Sequence, residues 1–268
     1  MAYSLSDSAA RPGEAASRVT RPPAWLYLTE PARGLTDLAS LPLSAGWLAS
    51  GPPGDGHGVL VVPGLMASDI STALLRRYVS WLGYSASGWD LGRNVGPTER
   101  VLAELPRALA DLARRTSGPV SVIGWSLGGI YARELAREHP DAVRQVITLG
   151  SPFRLTHPRQ SRADGVYRRR GHLHATGHPV PTREQIARPI EVPSTAVYSR
   201  QDGIVSWQTC IEPETTLHEN VEVRCAHLGF GVDPATLWVI ADRLAAPAGP
   251  RLPFRAPAAL RTLYPGNR

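Results

Sequence analysis

Apolar positions change period along this chain, and the changes mark out its elements. Val59-Leu60-Val61-Val62 is an unbroken apolar run, as expected of a strand buried on both faces. Ile70 to Leu82 has helical spacing, with Asp69 or Ser71 near its start, and Gly83 to Trp89 can form a short strand. Glu99 to Arg115 reads as a helix that Pro106 is expected to kink. Val120 to Ile123 predicts a strand, Leu127 to Glu138 a helix and Val143 to Leu149 another strand. Thr195–Ser199 and Val221–Cys225 predict the last two strands, and Pro234 to Ala245 a closing helix. Strands alternating with helices imply an α/β fold: a mostly parallel sheet with helices on both faces.

Three stretches depart from the alternation. Residues 1–20 are small and polar and read as a disordered tail, and residues 251–268 as a C-terminal tail. The main domain is expected over residues 21–250. Residues 22–50 carry Trp25, Leu26, Leu28, Leu35 and Trp47, interrupted by Pro31 and Pro42, and read as short helices packed on that domain. Residues 152–193 hold eight arginines, four histidines and six prolines without a clear period. A segment this long without obvious structure reads as a cap or lid over a cleft, or else as a surface loop.

The chain has 268 residues, 43% of them hydrophobic and 19% charged, which suits a globular protein with a sizeable core. No apolar run reaches about 18 residues, so no transmembrane helix is expected. Met1–Thr20 lacks the apolar stretch of a secretory signal, so the expected location is cytoplasmic, without stable membrane insertion. Net charge is +6, carried entirely by arginine; no nucleic-acid motif accompanies it, so no nucleic-acid partner is expected. Two cysteines make neither a disulfide scaffold nor a zinc site. Cys210 and Cys225 flank two candidate catalytic loops, however, and a disulfide between them would tie those loops together; a cytoplasmic setting argues against it.

The chemistry centres on Gly124-Trp125-Ser126-Leu127-Gly128, which joins a predicted strand to a predicted helix. Gly-x-Ser-x-Gly in that context is a nucleophile elbow, a sharp turn that projects the serine hydroxyl into a cleft. A serine needs a base, and the base an orienting carboxylate. Asp202 lies three residues beyond the predicted strand Thr195–Ser199, and His227 two beyond Val221–Cys225, so both emerge at the same sheet edge as Ser126. His57, His139 and His218 precede strands and belong at the opposite edge, while His172, His174 and His178 lie in the cap segment. Asp233 is the second choice of acid, but it follows the histidine and is expected to cap the last helix.

Oxyanion donors are expected from Leu127 N–H and from the loop Pro63-Gly64-Leu65-Met66, where Leu65 N–H is preferred and Met66 is the alternative. Substrate contacts are expected from Met66, Trp125, Trp89, Ile204 and Leu228, with Trp207 and Phe230 nearby; each is equally well explained as core.

Four elements, Val61-Val62-Pro63-Gly64-Leu65, Gly124 to Gly129, Ser199 to Val205 and Ala226-His227-Leu228-Gly229, together resemble the α/β-hydrolase superfamily. The resemblance spans roughly residues 57–245 and is closest to bacterial esterases and triacylglycerol lipases related to the GPI inositol-deacylase type. Such lipases often carry His-Gly where this chain has Pro63-Gly64. The resemblance implies a serine-dependent carboxylic-ester hydrolase working through an acyl-enzyme, with no metal or organic cofactor, on a small-molecule or lipid ester. An acyltransferase, a thioesterase or amidase, and a non-catalytic binding protein are the alternatives.

Overall fold

A computed structural model describes residues 19–177, 181–247, 249 and 252–266. Two N-terminal helices, α1 (Ala24–Ala39) and α2 (Leu41–Leu48), precede the sheet. Then follow β1 (Gly58–Val62), α3 (Ala73–Trp81), β2 (Ser85–Gly88), α4 (Glu99–Arg115), β3 (Val120–Trp125), α5 (Leu127–Glu138) and β4 (Val143–Leu149). Short helices α6 (Asp164–Arg169) and α7 (Arg183–Ala187) lie before β5 (Ser194–Ser199), β6 (His218–Val223) and α8 (Pro234–Ala245). The six strands pair in the order β2-β1-β3-β4-β5-β6, every neighbour parallel.

Alternation along the strands builds a core on each face. Val59 and Val61 of β1 join Ile123, Ile147, Val197 and Val221 beneath α2, α3 and α8. Leu60 and Val62 join Val122 and Val146 on the other side, against α4 and α5. That two-sided burial is why β1 reads as an unbroken apolar run rather than an alternating one.

Several expected bounds shift, each for a local reason. The helix expected over Ile70–Leu82 begins at Ala73. Asp69 does not cap it: its carboxylate accepts the N–H groups of Trp89 (3.1 Å) and Asp90 (3.0 Å) instead. The last strand begins at His218, because its polar positions find partners in the fold: Glu219 accepts from Thr195 Oγ1, and the Asn220 amide bonds the N–H and C=O of Glu212. It ends at Val223, since Cys225 has left the ladder and bonds Ser199 through both its N–H and its C=O. Helix α1 continues through Pro31, and α4 through Pro106. Pro42 sits in the first turn of α2, where its missing N–H costs nothing.

Cys210 and Cys225 are free thiols, both buried. Each packs in a different apolar cluster, Cys210 with Tyr198 and Val205, Cys225 with Val223 and Phe230, so no bridge ties the loops. Of the two terminal stretches, residues 1–18 lie outside the described residues. Residues 252–266 pack on α8 and the edge of β6: Phe254 and Tyr264 are buried, Tyr264 Oη donates to Ala235 O at 3.0 Å, and Phe254 N–H to Glu219 Oε2 at 2.7 Å. No helix among the described residues is long and apolar enough to cross a membrane.

One buried ion pair fastens α5 to the far half of the sheet. Arg133 Nη1 meets both carboxylate oxygens of Glu212 at 2.9 Å, and both side chains are essentially inaccessible. Ser194 Oγ donates to the same carboxylate at 2.7 Å, and the Arg133 guanidinium lies 4.0 Å from the Phe153 ring centre. Removing one partner leaves the other charge buried alone. Glu212→Ala is therefore expected to cost about 3–5 kcal/mol of stability in urea unfolding.

Candidate active site

Ser126 is the hinge between β3 and α5, at φ 54° and ψ −119°. A non-glycine residue is rarely held there, and the turn is kept by its surroundings. Ser126 N–H donates to Leu149 O at 2.8 Å, on the neighbouring strand. A side chain at Gly124 would overlap the backbone of Gly128 and Gly129, and one at Gly128 would overlap Val62 O. Both glycines of the motif are thus required by close backbone approach.

Asp202 and His227 meet directly. His227 Nδ1 and Asp202 Oδ2 are 2.6 Å apart, and both residues are 4% exposed. Asp202 Oδ1 accepts the N–H groups of Ile204 (2.8 Å) and Val205 (2.7 Å), which fixes the carboxylate that faces the ring. Burial disfavours the imidazolium, but the Asp202 charge and hydrogen bond, with Glu30 adding to them, outweigh it and raise the His227 pKa above 6.5. Trp125 Nε1 donates to His227 O at 3.1 Å, which ties the histidine loop to the residue preceding Ser126. Neither Ser126 Oγ nor His227 Nε2 carries a hydrogen bond among the described residues.

Two backbone donors flank the serine. Leu127 N–H opens α5, where first-turn N–H groups have no helical acceptor. Leu65 N–H also has no acceptor among the described residues, whereas Met66 N–H is consumed by Asn94 O at 2.6 Å. Of the two alternatives, only Leu65 has its N–H free. Met66 itself stands at φ 64°, so this loop is strained like the elbow. Asn94, fully buried, holds it in place: Nδ2 donates to Pro63 O at 2.8 Å, its N–H to Ala67 O at 2.8 Å, and its Oδ1 accepts Gly96 N–H at 3.2 Å.

A cavity of about 540 Å³ opens beside Ser126, with Leu65 and Leu127 in its lining. One wall is the α5 face Leu127–Ile130–Glu134–Glu138; α4 supplies Val101 and Leu105, and the segment after β4 supplies Phe153 and Tyr167. The five residues expected to contact substrate are placed outside this lining. Trp89 is 1% exposed core and donates to Gly92 O. Trp125 turns its indole to the histidine loop, and Met66 is half-buried. Ile204 packs with Tyr198 and Val205, while Leu228 points outward at 46% exposure. The lining of this cavity comes from helix faces and from the irregular segment, where apolar residues carry no signal that separates pocket from core.

A fully hydrogen-bonded Ser–His–Asp set stands elsewhere in the fold. At the opposite sheet edge His57 Nδ1 lies 2.5 Å from Asp55 Oδ1, and His57 Nε2 lies 2.8 Å from Ser121 Oγ. Ser121 is inaccessible within β3 and also accepts from Gln145 Nε2 at 3.1 Å. No substrate reaches it. Asp233, the second-choice acid, caps α8 by accepting Thr236 N–H at 2.8 Å. Among the described residues no group of three or more His, Cys, Asp or Glu side chains is disposed to hold a metal ion.

The parallel sheet, the elbow between β3 and α5, and the loops after β5 and β6 at one edge define the α/β-hydrolase fold. Lipase B of Aspergillus fumigatus is similar with a TM-score of 0.55 at 14% identity, over 74% of this chain and 54% of that one. A structure of the metagenome-derived lipolytic enzymes LipS and LipT is similar at TM-score 0.52 and 15% identity, over 72% and 93%. In sequence, a pimeloyl-[acyl-carrier protein] methyl ester esterase of Neisseria meningitidis is 40% identical over 53 residues, 20% of each chain. The biotin biosynthesis bifunctional protein BioHC of Teredinibacter turnerae is 42% identical over 48 residues, 18% of this chain and 8% of that one. No family model matches the chain.

Asn94 was not legible in advance, since one asparagine in a turn-rich stretch has no spacing to mark it. Asn94→Ala leaves Pro63 O and Gly96 N–H without their side-chain partner. It is expected to cost about 2–4 kcal/mol, measured as a lowered urea midpoint.

Proposed function

We propose that this chain is a serine-dependent carboxylic-ester hydrolase, with Ser126 as nucleophile, His227 as base and Asp202 as its orienting acid. The observation that carries the reading is the strained Ser126 beside an apolar cavity, flanked by the uncommitted N–H groups of Leu65 and Leu127, with the Asp202–His227 pair at the same sheet edge. The buried Ser121 set has none of these surroundings.

In this mechanism His227 Nε2 takes the proton of Ser126 Oγ as the oxygen attacks the ester carbonyl. Leu65 and Leu127 N–H groups receive the oxyanion. The imidazolium, stabilised by Asp202, gives its proton to the leaving alcohol, and an acyl-serine remains. Water activated by His227 then releases the acid and restores Ser126.

The described residues of 152–193 act as a cap in this reading, since Phe153, Tyr167, Arg183 and Ile186 among them line the cavity together with α5. The cavity follows α5 from Leu127 to Glu138, about 16 Å at 1.5 Å per residue, which suits an acyl chain of medium length. Among hydrolases of this fold we place the chain with esterases and lipases related to the GPI inositol-deacylase type, on the four sequence elements quoted above.

Hydrolysis of p-nitrophenyl esters from acetate to palmitate tests the reading. Wild type is expected to turn over medium chains faster than acetate, and Ser126→Ala to lose at least about a thousandfold in kcat. Full activity in the variant would refute the nucleophile. His227 must be neutral to act as base, and its pKa lies above 6.5. kcat/KM is therefore expected to fall with decreasing pH around a midpoint above 6.5, followed on one ester from pH 5 to 9.

A further inference from the structure

Helix α1 lies outside the strands and loops that carry Ser126, Asp202 and His227, yet it delivers a carboxylate to two of those loops. Glu30 is 2% exposed. Its Oε1 accepts the N–H groups of Gly203 (2.6 Å) and His227 (3.1 Å), and its Oε2 accepts Leu228 N–H at 3.1 Å. Arg33 Nη2 donates to Oε1 at 2.9 Å and Arg33 Nη1 to Gln201 O at 2.7 Å, so the same helix holds the acid loop from a second side. Asp37 Oδ2, one turn on, accepts Ala226 N–H at 2.9 Å.

Burying a carboxylate is costly unless donors replace its water. Here three of its donors are main-chain groups, one immediately after Asp202 and two at and after His227. From this arrangement we infer that Glu30 is a positioning residue: it locks the acid loop and the histidine loop to each other and so sets where the imidazole stands relative to Asp202 and Ser126. The inference rests on the hydrolase reading above and adds to it a part supplied by the N-terminal helix. Geometry of this kind matters because displacing a catalytic group by about 1 Å costs on the order of a hundredfold in rate. The charged groups that act on the His227 ring are Asp202 from the acid loop and Glu30 from α1, and the Phe230 ring packs against the imidazole as well. Among the carboxylates, Asp202 and Glu30 are the two that hold the imidazolium.

Three variants separate position from charge. Glu30→Asp keeps the charge and withdraws it by one methylene. Glu30→Gln keeps an acceptor oxygen and loses the charge, and Glu30→Ala loses both. Each is compared with wild type by thermal melt, by kcat and KM on p-nitrophenyl butyrate, and by NMR titration of the ¹⁵N-labelled imidazole of His227. In Glu30→Ala and Glu30→Asp, kcat is expected to fall about 10–100-fold, with KM within about threefold, at temperatures where both are folded. In Glu30→Gln the His227 midpoint and the acidic limb of kcat/KM are expected to move together to lower pH, because a neighbouring negative charge is gone. If Glu30→Ala does not fold, the Asp and Gln variants decide.

Folded variants with kcat/KM within twofold of wild type and an unmoved His227 titration would overturn the inference. A loss of activity that only tracks the folded fraction, with His227 unmoved, would overturn it too. The hydrolase reading fails separately. A wild type that cleaves no ester and takes up no fluorophosphonate, while His227 still moves in Glu30→Gln, would overturn that reading and leave the effect of α1 on the imidazole standing.

Discussion

The carboxyl edge of the sheet depends on one tight crossing. β3 turns into α5 within a single residue, and Ser126 absorbs the reversal at a backbone conformation that costs of order 1–3 kcal/mol. Close packing holds it there: Gly124 and Gly128 admit no side chain, and the second lies directly against Val62 O at the end of β1. The turn fixes where the serine hydroxyl projects and where the first N–H of α5 points. The Pro63–Ala67 loop is set against the same turn, so the two uncommitted donors, Leu65 N–H and Leu127 N–H, follow from the crossing together.

Buried charge sets the remaining geometry. Arg133 and Glu212 anchor α5 to the segment beyond β5, while Asp202 and Glu30 surround the histidine loop with acceptors. Each carboxylate is satisfied by several donors, as it must be away from water. Such ties add less to stability than their Coulomb attraction suggests. What they supply is placement, since a loop held by three or four directed bonds has few alternatives. The Asp55–His57–Ser121 set makes the contrast: its hydrogen bonds are good, but its serine is wholly buried within β3.

Much of this was legible in the sequence where apolar period and turn chemistry agree. The helix Leu127–Glu138 and the strand Val143–Leu149 fall where the pattern puts them. The polar first half of β6 was not legible, because Glu219 is satisfied by Thr195 of the neighbouring strand and Asn220 by the main chain of Glu212, partners that no period in the sequence marks. The residues expected at the substrate lie outside the cavity lining for a related reason: an apolar residue serves core and cleft equally well in one dimension, and Trp89 and Trp125 both turn inward. The proposed disulfide failed because proximity of two loops along the chain says nothing about which cluster each thiol faces.

By itself the sequence determined the alternation of strand and helix, the Gly-x-Ser-x-Gly turn, and the placing of Ser126, Asp202 and His227 just after successive strands, all of which are local patterns of period and spacing. Only the tertiary structure decided which N–H groups remain uncommitted, which side chains line the cavity, and that Glu30, Arg33 and Asp37 of α1 grip loops some 170 to 200 residues away. Those outcomes depend on long-range hydrogen bonds. A single buried carboxylate or asparagine has no period to announce its partner, and the fold alone brings the two together.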